Sequence, residues 1–308
     1  MKEIKVSKMN EENTSKMNIN WYPGHMAKTK KQIIEDLKLI DIVVEILDAR
    51  IPISSRNPDI ETYIKDKEKL IVLNKYDLAN ENENKKWIEY FKSNGIEAVL
   101  VNSNTGDGIN NAINKIEEIY KKSEEKFSNK GRVGKSIRVM ILGIPNVGKS
   151  SFINRISKKN SAVVGNKPGV TRQKQWIRIN QNIELLDTPG VLWPKFDNEK
   201  IALNLAYTGT INDDILQTIE IGFSLLKLLV DEYLDKLVTR YKLEKQDIED
   251  VLKQEIEENE KILEIMHLIG RKRGAIVSGG NIDEEKVAKI ILDDFRSGKI
   301  GRITLEKI

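Results

Sequence analysis

The chain has 308 residues, 39% hydrophobic and 32% charged, with a net charge of +4, which is ordinary for a globular protein with room for two domains. It has no cysteine and only two histidines, His25 and His267, which excludes disulfides, thiolate-held zinc or iron–sulfur clusters, thiol catalysis and a histidine-rich metal site. The first 199 residues hold 34 basic and 26 acidic side chains, the remainder 17 and 21, so a polyanion would suit the front half, although lysine-rich surfaces are common in any case.

Residues 1–18 are polar and read as a disordered extension, not a secretion signal. The segment 26–40 has apolar residues at helical spacing with lysines on the other face. IVVEIL (42–47) reads as a buried parallel strand ending in Asp48-Ala49-Arg50-Ile51-Pro52. A helix around 57–67 leads to the strand LIVL (70–73), which stops at Asn74-Lys75-Tyr76-Asp77. Helix 81–94, strand 97–101, a loop from Asn102 to Gly108 and helix 109–122 follow. Polar, glycine-punctuated residues 123–135 read as a linker. Strand 137–142, a glycine-rich loop, helix 149–158 and strand 183–187 complete this part. Strands alternating with helices predict a parallel sheet covered on both faces. After about residue 200 only helical periodicity remains, over 215–239, 244–252, 256–269 and 283–296. No run approaches the ~20 apolar residues of a membrane span, so a cytoplasmic protein without a membrane partner is expected.

Gly143-Ile144-Pro145-Asn146-Val147-Gly148-Lys149-Ser150 fits a P-loop, after a strand and opening a helix. Its glycines let backbone N–H groups wrap phosphates above the positive end of the helix. Lys149 brings a charge to the β- and γ-phosphates, and the Ser150 hydroxyl can ligate Mg²⁺. Asp187-Thr188-Pro189-Gly190 ends a strand about forty residues on, where Asp187 can hold the Mg²⁺ shell and the Gly190 N–H can sense a γ-phosphate. Taken alone, it is also an ordinary turn. Asn74-Lys75-Tyr76-Asp77 chooses the base: a carboxylate at a strand end accepts both N1–H and the exocyclic N2–H₂ of guanine, which adenine cannot offer. One strand later, Asn102-Ser103-Asn104-Thr105-Gly106 can bring a backbone N–H to the guanine oxygen. Three loops at the carboxyl edge of one sheet converge where such folds bind ligands.

These motifs resemble those of the TRAFAC-class GTPases, in an altered order: the base loops precede the P-loop. That order, with WYPGHMAK at 21–28, DARIP at 48–52 and RKRGAIVSGG at 271–280, closely resembles the ribosome biogenesis GTPase A (YlqF) family over roughly residues 19–308. The resemblance implies an α/β fold: a circularly permuted P-loop GTPase domain with a parallel-rich sheet at 19–198 (halves 19–122 and 136–198), then an all-helical domain at 199–308 that contacts RNA or the ribosome. It implies GTP and GDP as ligands, Mg²⁺ and K⁺ as cofactors, and a monomer. The partner would be the large (50S) subunit precursor, its rRNA and ribosomal proteins; DNA is not expected.

By the same resemblance the phosphates meet Pro145, Asn146, Val147, Gly148, Lys149, Ser150, Ser151, Thr171 and Gly190, and guanine meets Asn74, Lys75, Asp77, Asn102 and Ser103. Thr171 matches the switch I threonine on Mg²⁺, and Asn146 the asparagine that helps bind K⁺. Ser151 stands where the family often has threonine. Val191 occupies the place of the water-orienting glutamine of Ras-like enzymes, and the family points to His25 for that duty, though His25 could equally cap a Pro-Gly turn. DARIP carries no derivable chemistry and reads as a structural brace. Arg271, Lys272 and Arg273 are an RNA contact or a cationic helix cap, and His267 reads as packed core. The functional expectation is a GTP-hydrolysing assembly factor that binds the precursor in its GTP state, with stimulation by the subunit and by K⁺. The alternative is an RNA-binding scaffold with incidental hydrolysis. A tRNA-modifying GTPase shares the GIPNVGKS loop, but it would need a further domain and the usual motif order.

Overall fold

The computed structural model describes residues 25–64, 67–126, 136–158, 176–186, 198–211 and 218–308. The chain divides into two compact units, one spanning 21–194 together with 302–308, the other containing 195–301. No helix among the described residues is long and apolar enough to cross a membrane.

In the first unit the elements run α1 (His25–Leu37), β1 (Ile42–Asp48), α2 (Pro58–Tyr63), β2 (Glu68–Asn74), α3 (Glu81–Ser93), β3 (Glu97–Val101), α4 (Ile109–Lys126), β4 (Ile137–Leu142), α5 (Lys149–Lys158), β5 (Trp176–Arg178) and β6 (Ile183–Leu186). The sheet order is β3-β2-β1-β4-β6-β5. All neighbours are parallel except β5, which pairs antiparallel with β6. Every residue of β1 is buried, Glu45 included, as a mostly apolar strand requires when helices cover both faces. Ile33 and Leu37 of α1 pack with Val43, Met140, Leu142 and Leu186. Trp87 and Phe91 of α3 pack with Leu47, Ile71 and Leu73. Burying each such aromatic contributes on the order of 2–3 kcal/mol. Helix α3 starts where Asn80 accepts hydrogen bonds from the Asn82 and Glu83 amides, satisfying donors that a first turn leaves open.

The alternation of strands and helices follows the sequence expectation, with differences of cause. The three-residue β5 is too short to show a period of two. Helix α4 runs to Lys126, past the expected linker start, because charged residues at helical spacing sustain a helix as well as a linker.

The second unit holds α6 (Glu199–Tyr207), α7 (Thr218–Tyr241), α8 (Lys245–Lys253), α9 (Glu258–Arg273) and α10 (Glu284–Arg296). Helix α7 breaks its helical geometry at Tyr233. Helices α7 and α10 approach closely at Gly222, where a Cβ would lie 2.6 Å from the Ala288 Cβ, so no larger residue fits without moving a helix. The buried Asp294 accepts hydrogen bonds from Arg240 Nε and Nη2 at 2.9 and 2.8 Å and from Arg273 Nη2 at 3.2 Å. This decides part of the RKR question: Arg273 is tied inward and its guanidinium lies over the Tyr241 ring, while α9 ends at Gly274 in a left-handed cap (φ 64°). His267 is not core as expected. It is partly exposed, and its Nε2 lies 3.0 Å from a Glu284 carboxylate oxygen, because it points off the apolar stripe of α9 formed by Ile262, Ile265, Met266 and Ile269.

The helical domain does not run to residue 308 as the sequence suggested. It ends at Gly301, and Arg302–Ile308 belong to the sheet unit. A seven-residue tail without periodicity carries no local signal of where it docks.

Candidate functional site

Parallel strands place all their carboxyl ends on one edge, so β1, β2, β3 and β4 deliver Asp48, Asn74, Asn102 and the Gly143–Ser150 loop side by side. Asp48 and Asn74 are register partners at the ends of β1 and β2. The three expected loops meet at Asn74, which is buried. Its Nδ2 donates to the Val147 carbonyl at 2.7 Å. Its Oδ1 accepts from the Ser103 amide at 3.0 Å and from the Ser103 hydroxyl at 2.8 Å. A single side chain thus locks the P-loop to both base loops, with one amide hydrogen left over.

Lys75 has φ 58°, a left-handed conformation that a lysine adopts at a cost of roughly 1 kcal/mol or more. Its Nζ repays that strain in contacts, donating to the Asn146 carbonyl at 2.8 Å and to Asp48 Oδ2 at 3.0 Å. Asp77, two residues on, is exposed and makes no hydrogen bond or ion pair among the described residues, so both carboxylate oxygens remain open to a donor pair. Tyr76 turns away, its hydroxyl donating to Asp107, and that hydrogen bond, with some burial, pushes the phenol up from its usual value. In the neighbouring loop Asn102 Oδ1 accepts from the amides of Asn104 and Thr105 at 2.9 and 3.1 Å. Arg155 of α5 reaches the Ser103 and Asn104 carbonyls, a link that no local sequence pattern announces.

The P-loop lies between β4 and α5, with Lys149 and Ser150 opening the helix. Gly148 has φ 100°, and a Cβ there would lie 2.3 Å from Asn74 Nδ2; only glycine lets the loop wrap against the base loop. Asn146 has φ 61°, which asparagine tolerates better than most residues. Its identity therefore has a backbone reason besides any ion. Lys149 Nζ donates to the Ile144 carbonyl at 2.8 Å, closing the loop, and Pro145 lies half-buried in its curve. Ser150 and Ser151 are exposed in the first turn of α5, where partial positive charge favours anions.

The DARIP segment, read as a brace, does more than that. Asp48 is almost fully buried, and Arg50 grips it with Nε at 2.9 Å and Nη2 at 2.8 Å. Burial alone would raise the Asp48 carboxyl, but Arg50 and then Lys75 outweigh it and hold it well below the usual carboxylate range. Sequence reasoning missed this because the second partner of Asp48, Lys75, is 27 residues away, just past the end of the next strand. The signal was an acid closing a mostly apolar strand ahead of the NKYD strand.

Of the remaining expected site residues, His25 is the first residue of α1, with its side chain outside the described part. Thr171, Asp187, Gly190 and Val191 lie outside the described residues, as does most of the linker.

A P-loop completed by base-recognition loops from earlier strands defines a circularly permuted P-loop GTPase. Residues 138–267 match the family model described as 50S ribosome-binding GTPase, and residues 60–197 that described as RsgA GTPase. Ribosome biogenesis GTPase A of Bacillus pumilus is 44% identical over 291 residues, covering 94% of this chain and 99% of that protein. Mitochondrial ribosome-associated GTPase 1 of Mus musculus is 33% identical over 298 residues, covering 93% and 90%. The crystal structure of GNP-bound YlqF from T. maritima superposes with a TM-score of 0.58 at 26% identity, over 91% of this chain and 98% of that one. The chain belongs to the ribosome biogenesis GTPase A (YlqF) family.

Proposed function

We propose that this GTPase is an assembly factor for the large ribosomal subunit, docking on the 50S precursor with GTP bound and leaving after hydrolysis. The observation that carries the reading is the junction at Asn74, where base loops and P-loop from two halves of the chain are bonded into one site. The relatives named for ribosome biogenesis and for ribosome association support the class of partner.

In this reading Asp77 accepts from guanine N1–H and N2–H₂, Asn74 and Lys75 hold the loop that presents it, and the Ser103 region meets the guanine oxygen. Backbone N–H groups from Pro145 to Ser151, with Lys149, cradle the phosphates. Mg²⁺ takes hard oxygen ligands, and the exposed Ser150 hydroxyl above a closed glycine cradle suits it; Thr171 and Asp187 would complete the set. The ion would neutralise charge between the β- and γ-phosphates. Asn146 would hold K⁺ beside them. Thr171 and Gly190 sense the γ-phosphate, and His25 orients the attacking water in place of the glutamine that Val191 replaces. A basic front half and an acidic second half support the reading that the GTPase unit makes much of the RNA contact.

The test is sedimentation of the full chain with large subunits in a non-hydrolysable GTP analogue and in GDP. Co-sedimentation with the analogue and release in GDP is expected. Equal binding in both states would refute the switch and favour the scaffold.

A further inference from the structure

The last seven residues of the chain lie against the base-recognition loop, and nothing in the P-loop chemistry requires them. Arg302 Nε donates to the Ala79 carbonyl at 2.8 Å and its Nη2 to the Tyr76 carbonyl at 3.3 Å. The Ile303 amide donates to the Leu78 carbonyl at 2.9 Å, and the Asn80 amide donates to the Thr304 hydroxyl at 2.9 Å. The strand-end turn that holds Asp48 is gripped in the same way. The Leu305 amide donates to the Arg50 carbonyl at 2.8 Å, and the amides of Ile53 and Ser54 donate to the Glu306 carboxylate at 2.6 and 2.9 Å. Ile303, Thr304 and Leu305 are buried.

The distribution of these bonds is the point. They fall on Tyr76, Leu78, Ala79 and Asn80, on both sides of Asp77, and none falls on Asp77 itself. A loop that must hold an exposed carboxylate in one bidentate geometry loses affinity when its backbone wanders, because positioned groups act only within a few tenths of an ångström of their partners. Deeper in the site Lys75 is fixed by Asp48 and Asn146. The outer half of the loop is fixed by the tail.

We infer that Arg302–Ile308 form a strap that positions Asp77 for guanine recognition, making this segment a part of the nucleotide site. The inference rests on the reading of Asp77 as the guanine acceptor. The strap contributes to base discrimination and not to phosphate binding.

The experiment compares full-length wild type with full-length Arg302→Ala, and with a chain ending at Gly301, for affinity toward fluorescent GDP and for the ratio of GDP to IDP affinity. IDP lacks the exocyclic amine, so the ratio reports the Asp77 geometry, and a merely stabilising tail would leave it unchanged. Wild type should prefer GDP by about tenfold, the worth of one charge-assisted hydrogen bond. Arg302→Ala should lower GDP affinity several-fold and bring the ratio toward one, and truncation should do so more completely. Variants that melt cooperatively and keep the wild-type ratio would overturn the strap while leaving the base site intact. A wild type with no preference for GDP over IDP would overturn the guanine reading itself, and the strap with it. Should the truncated chain fail to fold, Arg302→Ala alone decides, since its half-exposed side chain leaves no cavity in the core.

Discussion

Asp48→Asn tests whether the DARIP segment is part of the nucleotide site or only scaffolding. In the wild type one buried carboxylate faces two cations, Arg50 at 2.8 Å and Lys75 at 3.0 Å, and Arg50 itself is 1% exposed. The amide that replaces the carboxylate keeps one acceptor for Arg50 but presents hydrogens to the other cationic donors. Removing one partner of a buried pair costs about 3–5 kcal/mol, and the retained acceptor points to the lower end, about 3 kcal/mol. For a unit of this size that corresponds to a fall in melting temperature of roughly 6–12 °C. The pH dependence has a definite sign. Because the folded carboxyl lies below its unfolded value of about 3.9, its contribution is present in full above that value and is lost as pH falls toward the folded one. The gap between wild type and variant should therefore be constant from pH 5 to 8 and narrow below pH 4. GDP affinity should also fall several-fold, since Lys75 loses one of its two anchors. The assay is thermal melting against pH together with GDP titration. A variant that melts with the wild type at pH 7 would refute the electrostatic reasoning, and one that is destabilised with unchanged GDP affinity would return Asp48 to a purely structural role.

Asp77→Asn should weaken GTP binding at least about tenfold, since a hydrogen bond to a charged group is worth roughly 1.5–3 kcal/mol, and should admit xanthine nucleotides, whose extra carbonyl can pair with an amide. Competition titrations with GTP and XTP measure both effects, and wild-type affinity for GTP would remove Asp77 from the base site. Steady-state hydrolysis should run faster in K⁺ than in Na⁺ at equal ionic strength. Equal rates would leave Asn146 with only its backbone role, for which its φ of 61° is sufficient reason. His25→Ala should keep GTP affinity and subunit binding yet lower subunit-stimulated turnover by on the order of 10²–10⁴, the usual worth of a positioned acid–base group. An unchanged single-turnover rate in the folded variant would transfer the water-orienting role to the ribosome or the K⁺ site.

What could be read from the sequence were the parts with local causes. The strands β1, β2, β3 and β4 are mostly apolar runs that end at polar loops, and the P-loop is set by its glycines and the helix that follows. What could not be read depends on contacts between distant residues. Lys75 and Asp48 meet because β1 and β2 are register neighbours, and the spacing of DAR and NKYD along the chain contains no hint of that. The tail's docking is likewise tertiary: RITLEKI has neither helical nor strand period, and its partners lie more than 200 residues earlier. His267 was misread because apolar neighbours in sequence are not neighbours in space on a helix of 3.6 residues per turn.

A permuted chain order keeps its site only if the two halves recognise each other. The seam is the pairing of β1 with β4, where Ile42 to Glu45 lie opposite Val139 to Leu142. At its carboxyl end the seam continues through side chains, with Asn74 on Val147 and Lys75 on Asn146. Those bonds end on P-loop carbonyls, whose positions set the direction of the N–H groups beside them. A shift of the base loop is therefore felt where the phosphates bind, and an ordered P-loop in turn favours the base loop that clasps it. On the proposed assignment, these hydrogen bonds would couple guanine recognition to phosphate binding across the seam, so that the halves the permutation reorders along the chain act as one site in space.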